Sequence, residues 1–163
     1  MNTIVVLLPG IAGSGLKNDD HPIAWPIEIL GLTTFGKEPE AIAILEDDSL
    51  EPGEPLLWSL PLPDRIPLHF VYGKFRAYFE HAGFRSVACT VKSLDIPKDH
   101  PEKLVVGFAY DWRQDNGSGG SPEGSAGDLQ RLLRAIDEAY EGTEYRIFLV
   151  GHSMGGLVSR AYL

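Results

Sequence analysis

A chain of 163 residues that is 44% hydrophobic and 23% charged is long enough for one domain with a buried core and too apolar to read as disordered. Its formal net charge of -9 at pH 7 argues against nucleic acid and anionic membrane as electrostatic partners, because both require a basic face. The single cysteine, Cys89, has no internal disulfide partner and reads as a small buried hydrophobe, not as a nucleophile.

In chain order, Ile4 to Leu8 is a continuous aliphatic run closed by Pro9-Gly10, the pattern of a strand buried on both faces of a parallel sheet. No basic region precedes it, and it is too short for a signal peptide or a membrane span, so the expectation is a cytoplasmic protein with no transmembrane segment. The following loop, Pro9 to Leu16, is rich in glycine and lets the backbone approach a ligand closely. Gly10 and Gly15 have the spacing of a phosphate-binding loop, but Leu16 stands where that motif needs lysine and Lys17 comes one position late. A nucleotide-binding domain therefore rests on this loop alone. The same loop suits an oxyanion hole, and also suits a plain turn.

From Lys17 to about Pro67 the texture changes, with eight of the twelve prolines lying between Pro22 and Pro67. Regular core elements do not hold so many prolines, so residues 17-70 read as an irregular, cap-like or lid-like excursion with one short helix near Glu28 to Leu32; a long surface connection is the alternative. Glu46-Asp47-Asp48 reads as a solvated turn. No histidine lies at ligand spacing, and no metal site is assigned.

Val71, Phe75, Tyr78, Phe79 and Ala82 recur at helical spacing and Gly83 supplies a stop, which predicts a helix packed on the sheet. Two strands are expected next, Ser86 to Val91 and Leu104 to Tyr110, the second being the core strand. It ends in Tyr110-Asp111-Trp112-Arg113, whose aspartate and arginine read first as a structural ion pair and second as a catalytic group. Asn116 to Gly127 is a low-complexity glycine and serine loop. A helix follows, with Ser125 to Asp128 as a capping box and Leu129, Leu132, Leu133, Ile136 and Tyr140 on one face.

The last stretch carries the chemistry. Ile147 to Val150 is an apolar strand leading into Gly151-His152-Ser153-Met154-Gly155, the G-x-S-x-G form of a nucleophile elbow. Such an elbow turns a buried strand abruptly into a helix, leaves the serine exposed at the tip, and leaves no room for side chains two residues to either side. The alternation of strands and helices predicts an α/β fold of the α/β-hydrolase type, a parallel sheet with helices on both faces.

Three motifs now stand in order: Val6-Leu7-Leu8-Pro9-Gly10-Ile11-Ala12-Gly13-Ser14, Tyr110-Asp111-Trp112-Arg113, and Gly151-His152-Ser153-Met154-Gly155-Gly156. Together they resemble the lecithin:cholesterol acyltransferase family of α/β-hydrolases, which includes phospholipid acyltransferases and lysosomal phospholipase-like enzymes. The resemblance implies a serine hydrolase or acyltransferase acting on lipid esters through an acyl-serine. It implies Ser153 as nucleophile and the backbone N-H groups of Ile11 and Met154 as oxyanion hole, with no cofactor. In that family the cap carries lipid-binding residues, which makes Trp25 and its neighbours candidates.

A serine needs a base, and in this fold the order is Ser, then Asp or Glu, then His. All five histidines, His21, His69, His81, His100 and His152, precede or adjoin Ser153, and the sequence runs ten residues beyond it. His152, as the adjacent residue, is expected to point away from its neighbour's hydroxyl and to pack under the elbow. The expectation is that residues 1-163 form the N-terminal part of one α/β-hydrolase domain, partnered by a C-terminal part that supplies Asp and His, with an unpaired edge on the Ile147 to Val150 strand. The alternative is a non-catalytic truncated paralogue that binds an acyl chain or a partner protein.

Overall fold

The computed structural model describes residues 1-20, 46-55, 71-117 and 123-163. Its centre is β1 (Asn2–Leu8), whose Ile4, Val6 and Leu8 face one side of the sheet while Val5 and Leu7 face the other, all of them buried. A strand covered on both faces cannot alternate with polar residues, which is why this run reads as unbroken aliphatic sequence. The small ribbon β2 (Ser14–Lys17) and β3 (Glu51–Pro55) follows, then α1 (Val71–His81), β4 (Arg85–Thr90), β5 (Lys103–Ala109), α2 (Gly124–Ala139), β6 (Tyr145–Gly151) and α3 (Met154–Tyr162).

The main sheet has the order β4-β5-β1-β6 and is wholly parallel. The α/β fold expected from the sequence is the fold observed: a four-stranded parallel sheet with helices on both faces, consistent with part of an α/β-hydrolase sheet. Of the two expected strands after α1, the second is central and fully buried from Leu104 to Ala109, while the first lies beside it at the sheet edge. On one face Ile4, Val6, Leu8, Leu104, Val106 and Phe108 meet Leu129, Leu132 and Ile136 of α2 and Val158 of α3. On the other, Val5, Leu7 and Val105 meet Tyr72, Phe75 and Phe79 of α1. Burying each such aliphatic or aromatic side chain contributes about 1.5–3 kcal/mol, so the two layers together hold the strands in register. Cys89 is buried beside the first layer, and desolvation, with the nearby Asp95 carboxylate, pushes its thiol up to about 12. That is an inert thiol.

Four expectations are corrected. The sheet-facing stripe of α1 is Tyr72, Phe75 and Phe79, whereas Tyr78 is 71% exposed: the helix is rotated by part of a turn from the expected face. The Ser125–Asp128 capping box is not formed; the α2 N-cap is Glu123 with no side-chain cap bond, Ser125 donates to the Asp111 carbonyl at 3.5 Å, and Asp128 pairs with Arg131. The helix also begins at Gly124, so the end of the glycine and serine stretch is helical. Finally, the excursion is not wholly irregular: it contains β3, with Pro52 and Pro55, which pairs antiparallel with β2 at the end of the glycine loop. Each strand of a two-stranded ribbon has only one paired edge, and a proline without an N-H is tolerated on the other. The expected helix near Glu28 to Leu32 and the candidate lipid contact Trp25 lie outside the described residues.

On the β6 side the sheet ends: among the described residues β6 pairs with β1 alone. Its register sets Phe148 beside Val5 and Val150 beside Leu7, on the α1 face, yet the two are 49% and 37% exposed. No helix of the described residues is long and apolar enough to cross a membrane.

Candidate functional site

The register of β1 and β6 pairs Leu8 with Gly151, so the chain leaves both strands at the same level and the two following turns lie side by side. Ligands of parallel α/β sheets bind at such carboxyl ends. The β6 turn is a strand-to-helix elbow. Ser153 stands at its tip, exposed, with φ 53° and ψ −120°, a backbone conformation that costs a non-glycine residue about 1–3 kcal/mol. The surroundings enforce it. A Cβ on Gly151 would lie 2.5 Å from the Gly156 nitrogen, and one on Gly155 would lie 2.2 Å from the Leu8 carbonyl oxygen. Both distances are far inside contact, so the two glycines of G-x-S-x-G are steric requirements of the turn. The His152 N-H donates to the Leu8 carbonyl at 3.0 Å and fastens the elbow to β1.

The β1 turn is fastened as firmly. Gly13 N-H donates to the Gly10 carbonyl at 2.9 Å, and Ala12 takes a positive φ of 59° between them. The Tyr110 hydroxyl donates to the Pro9 carbonyl at 2.7 Å, the Tyr110 N-H to Ser14 Oγ at 3.1 Å, and the Trp112 indole N-H to the Ser14 carbonyl at 3.1 Å. Asp111, nearly buried, accepts from the backbone N-H, Nε and Nη2 of Arg113, whose Nη1 donates to the Asp47 carbonyl and whose Nη2 also donates to the Leu50 carbonyl. The Asp111 carboxylate beside it pushes the Arg113 pKa up. Tyr110-Asp111-Trp112-Arg113 thus acts as a clasp that ties the end of β5 to the β1 loop and to the segment before β3. Asp111 is engaged in that ion pair, the structural role read first from the sequence. The Glu46-Asp47-Asp48 turn is organised by Asp47, which accepts from Asn18 and from the Ser49 N-H.

Placement of the predicted site residues follows from these turns. Gly10 lies against the elbow: a Cβ there would meet Ser153 Cβ at 3.0 Å. Ile11, the next residue, is 64% exposed, and Met154 opens α3 immediately after Ser153. The neighbouring amides of Gly10, His152, Gly13 and Gly155 are all hydrogen-bonded within the protein, whereas those of Ile11 and Met154 donate to no group among the described residues. Because backbone N-H groups are obligatory donors, the uncommitted ones mark where an acceptor fits. The glycine loop runs into β2 and opens no helix, so it lacks the helix N-terminus that a phosphate-binding loop requires; Leu16 there is buried.

Among the described residues the histidine side chains are not gathered at Ser153. His81 ends α1, His100 lies against Tyr140, and His21 and His69 fall outside the described residues. His152 turns its ring to α1, where Nδ1 is 2.8 Å from the Tyr72 hydroxyl. Among the described residues no side chain hydrogen-bonds to the Ser153 hydroxyl, and no group of three or more metal-ligating side chains occurs. Sequence reasoning missed Tyr72, the buried residue through which α1 reaches the site. Its one signal is spacing, since Tyr72, Phe75 and Phe79 are as helical a set as the stripe containing Tyr78.

No curated protein and no solved structure matches the chain. A family model does, over residues 85-163, the part that holds β4, β5, the Tyr110 to Arg113 clasp, α2, β6, the elbow and α3. Its description is Lecithin:cholesterol acyltransferase, and residues 85-163 of the chain are similar to that family.

Proposed function

We propose that this chain carries the nucleophile and oxyanion hole of a serine hydrolase or acyltransferase that acts on lipid esters. Ser153 Oγ attacks the ester carbonyl, the Oγ–carbon bond forms, and the Ile11 and Met154 N-H groups receive the negative charge that develops on the carbonyl oxygen. Collapse expels the alcohol and leaves an acyl-serine, which water or a second alcohol then takes up. The observation that carries the reading is Ser153 held at positive φ on a glycine-flanked strand-to-helix turn, inside the residues matched by the family.

The proton of the Ser153 hydroxyl requires a base, and the described residues place none beside it. That observation favours a second reading, in which the chain binds an acyl chain or a partner protein without turnover. The two separate on incubating the complete gene product with phosphatidylcholine vesicles, with and without a long-chain alcohol. The proposal expects free fatty acid alone and fatty ester when the alcohol is present, both falling by about 10⁴-fold or more in Ser153→Ala. Vesicle binding with no acyl product under either condition supports the second reading.

A further inference from the structure

The hydroxyl of Tyr72 sits where α1, the β1 loop and the elbow meet. Gly10 N-H donates to it at 2.8 Å, and His152 Nδ1 lies 2.8 Å from the same oxygen, with the two rings edge to face at 5.8 Å. An amide can only donate and a phenol has one proton. Among the described residues the acceptor beside that proton is His152 Nδ1, and donation from Gly10 through Tyr72 to His152 leaves the ring proton on Nε2. Tyr72 is 8% exposed, and burial pushes its phenol pKa up, in keeping with a hydroxyl that stays protonated.

The loop is shaped around this oxygen. A Cβ on Gly13 would lie 2.9 Å from the Tyr72 hydroxyl, and a Cβ on Gly10 would lie 3.1 Å from His152 Nδ1. The consequence falls on the peptide between Gly10 and Ile11. Its carbonyl accepts from Gly13 N-H at 2.9 Å, and the Gly10 nitrogen at the other end of the same residue is held by Tyr72. In a trans peptide the N-H points opposite to the C=O, so fixing the Gly10 residue at both ends fixes the direction of the Ile11 N-H.

We propose that Tyr72 is a positioning residue: its hydroxyl clamps the Gly10–Ile11 peptide to the elbow through His152 and so aims the Ile11 N-H beside Ser153. The effect on reaction rate rests on the reading of Ser153 as nucleophile; the clamp does not. The test uses the complete gene product labelled with ¹⁵N. In the wild type His152 gives the signals of the Nε2-H tautomer alone and the Gly10 amide exchanges slowly. In Tyr72→Phe, which keeps the buried ring, His152 becomes a tautomer mixture and Gly10 exchange rises about tenfold or more. The rate of Ser153 labelling by a fluorophosphonate falls about 10- to 100-fold, the range for a misplaced donor. Tyr78→Phe, on the exposed side of the same helix, changes none of these. An Nδ1-H tautomer in the wild type overturns the clamp without any variant, as does a Tyr72→Phe protein with wild-type His152 and Gly10 signals. Altered signals with an unchanged labelling rate overturn the positioning role. Absence of labelling in the wild type overturns the nucleophile reading and the rate effect with it, while the tautomer and exchange data still decide the clamp.

Discussion

Gly155→Ala is expected to destabilise the fold severely, although alanine is the better helix former by about 1 kcal/mol. Gly155 lies in the first turn of α3, and a Cβ there would stand 2.2 Å from the Leu8 carbonyl oxygen and 2.7 Å from its carbonyl carbon. Neither neighbour is the free end of a side chain. Relief requires moving α3 away from β1, which opens the contact between Val158 and the layer containing Ile4, Val6 and Leu8. A loss above about 4 kcal/mol is expected, against a total of about 5–15 kcal/mol for an ordinary domain. Gly156→Ala is the control: its Cβ would meet nothing closer than the Gly151 carbonyl oxygen at 3.8 Å, so it should be neutral or stabilising by up to about 1 kcal/mol. Urea unfolding of both variants checks the contrast, and equal stabilities would contradict the packing described for the elbow.

Arg113→Met should be the second most damaging change. Asp111 is 5% exposed in its side chain and Arg113 17%, so removing the guanidinium strands a carboxylate in a nearly dry place. Breaking a buried pair costs about 3–5 kcal/mol; the partial exposure of Arg113 puts the expected loss at about 3 kcal/mol. The change also releases the carbonyls of Asp47 and Leu50, so the segment before β3 should gain susceptibility to protease. Arg113→Lys should recover only part of the loss, because an ammonium cannot reproduce the planar fork that reaches Asp111 and both carbonyls. Thermal unfolding with limited proteolysis reads both effects, and a Met variant as stable as the parent would contradict the clasp.

Much of this architecture is legible in the sequence wherever one constraint dominates. The run Ile4 to Leu8 is aliphatic on both faces because it is buried on both, and the glycines at 151 and 155 are demanded by contacts a few tenths of a nanometre long. Tyr110 to Arg113 also reads correctly as an ion pair at a strand end, but its bonds to Pro9, Ser14, Asp47 and Leu50 span long stretches of chain and leave no periodic trace. Two stripes of α1 have similar apolar content, and only the sheet decides that Tyr72 points inward and Tyr78 outward. The β2–β3 ribbon escapes notice because Pro52 and Pro55 disguise a strand that needs few ladder bonds. Ser125 and Asp128 have capping-box spacing, yet the Asp111 carbonyl and Arg131 compete for them and win. What joins the two halves of the site, the Tyr72 hydroxyl between Gly10 and His152, is a tertiary contact that no local pattern announces.

The central claim is that Ser153 is an activated nucleophile. The most direct measurement is intact mass followed by peptide mapping after exposure of the complete gene product to a fluorophosphonate. The expected result is a single adduct, mapped to Ser153 and absent from Ser153→Ala. An unmodified Ser153, or equal modification of Ser153 and other exposed hydroxyls, would contradict it.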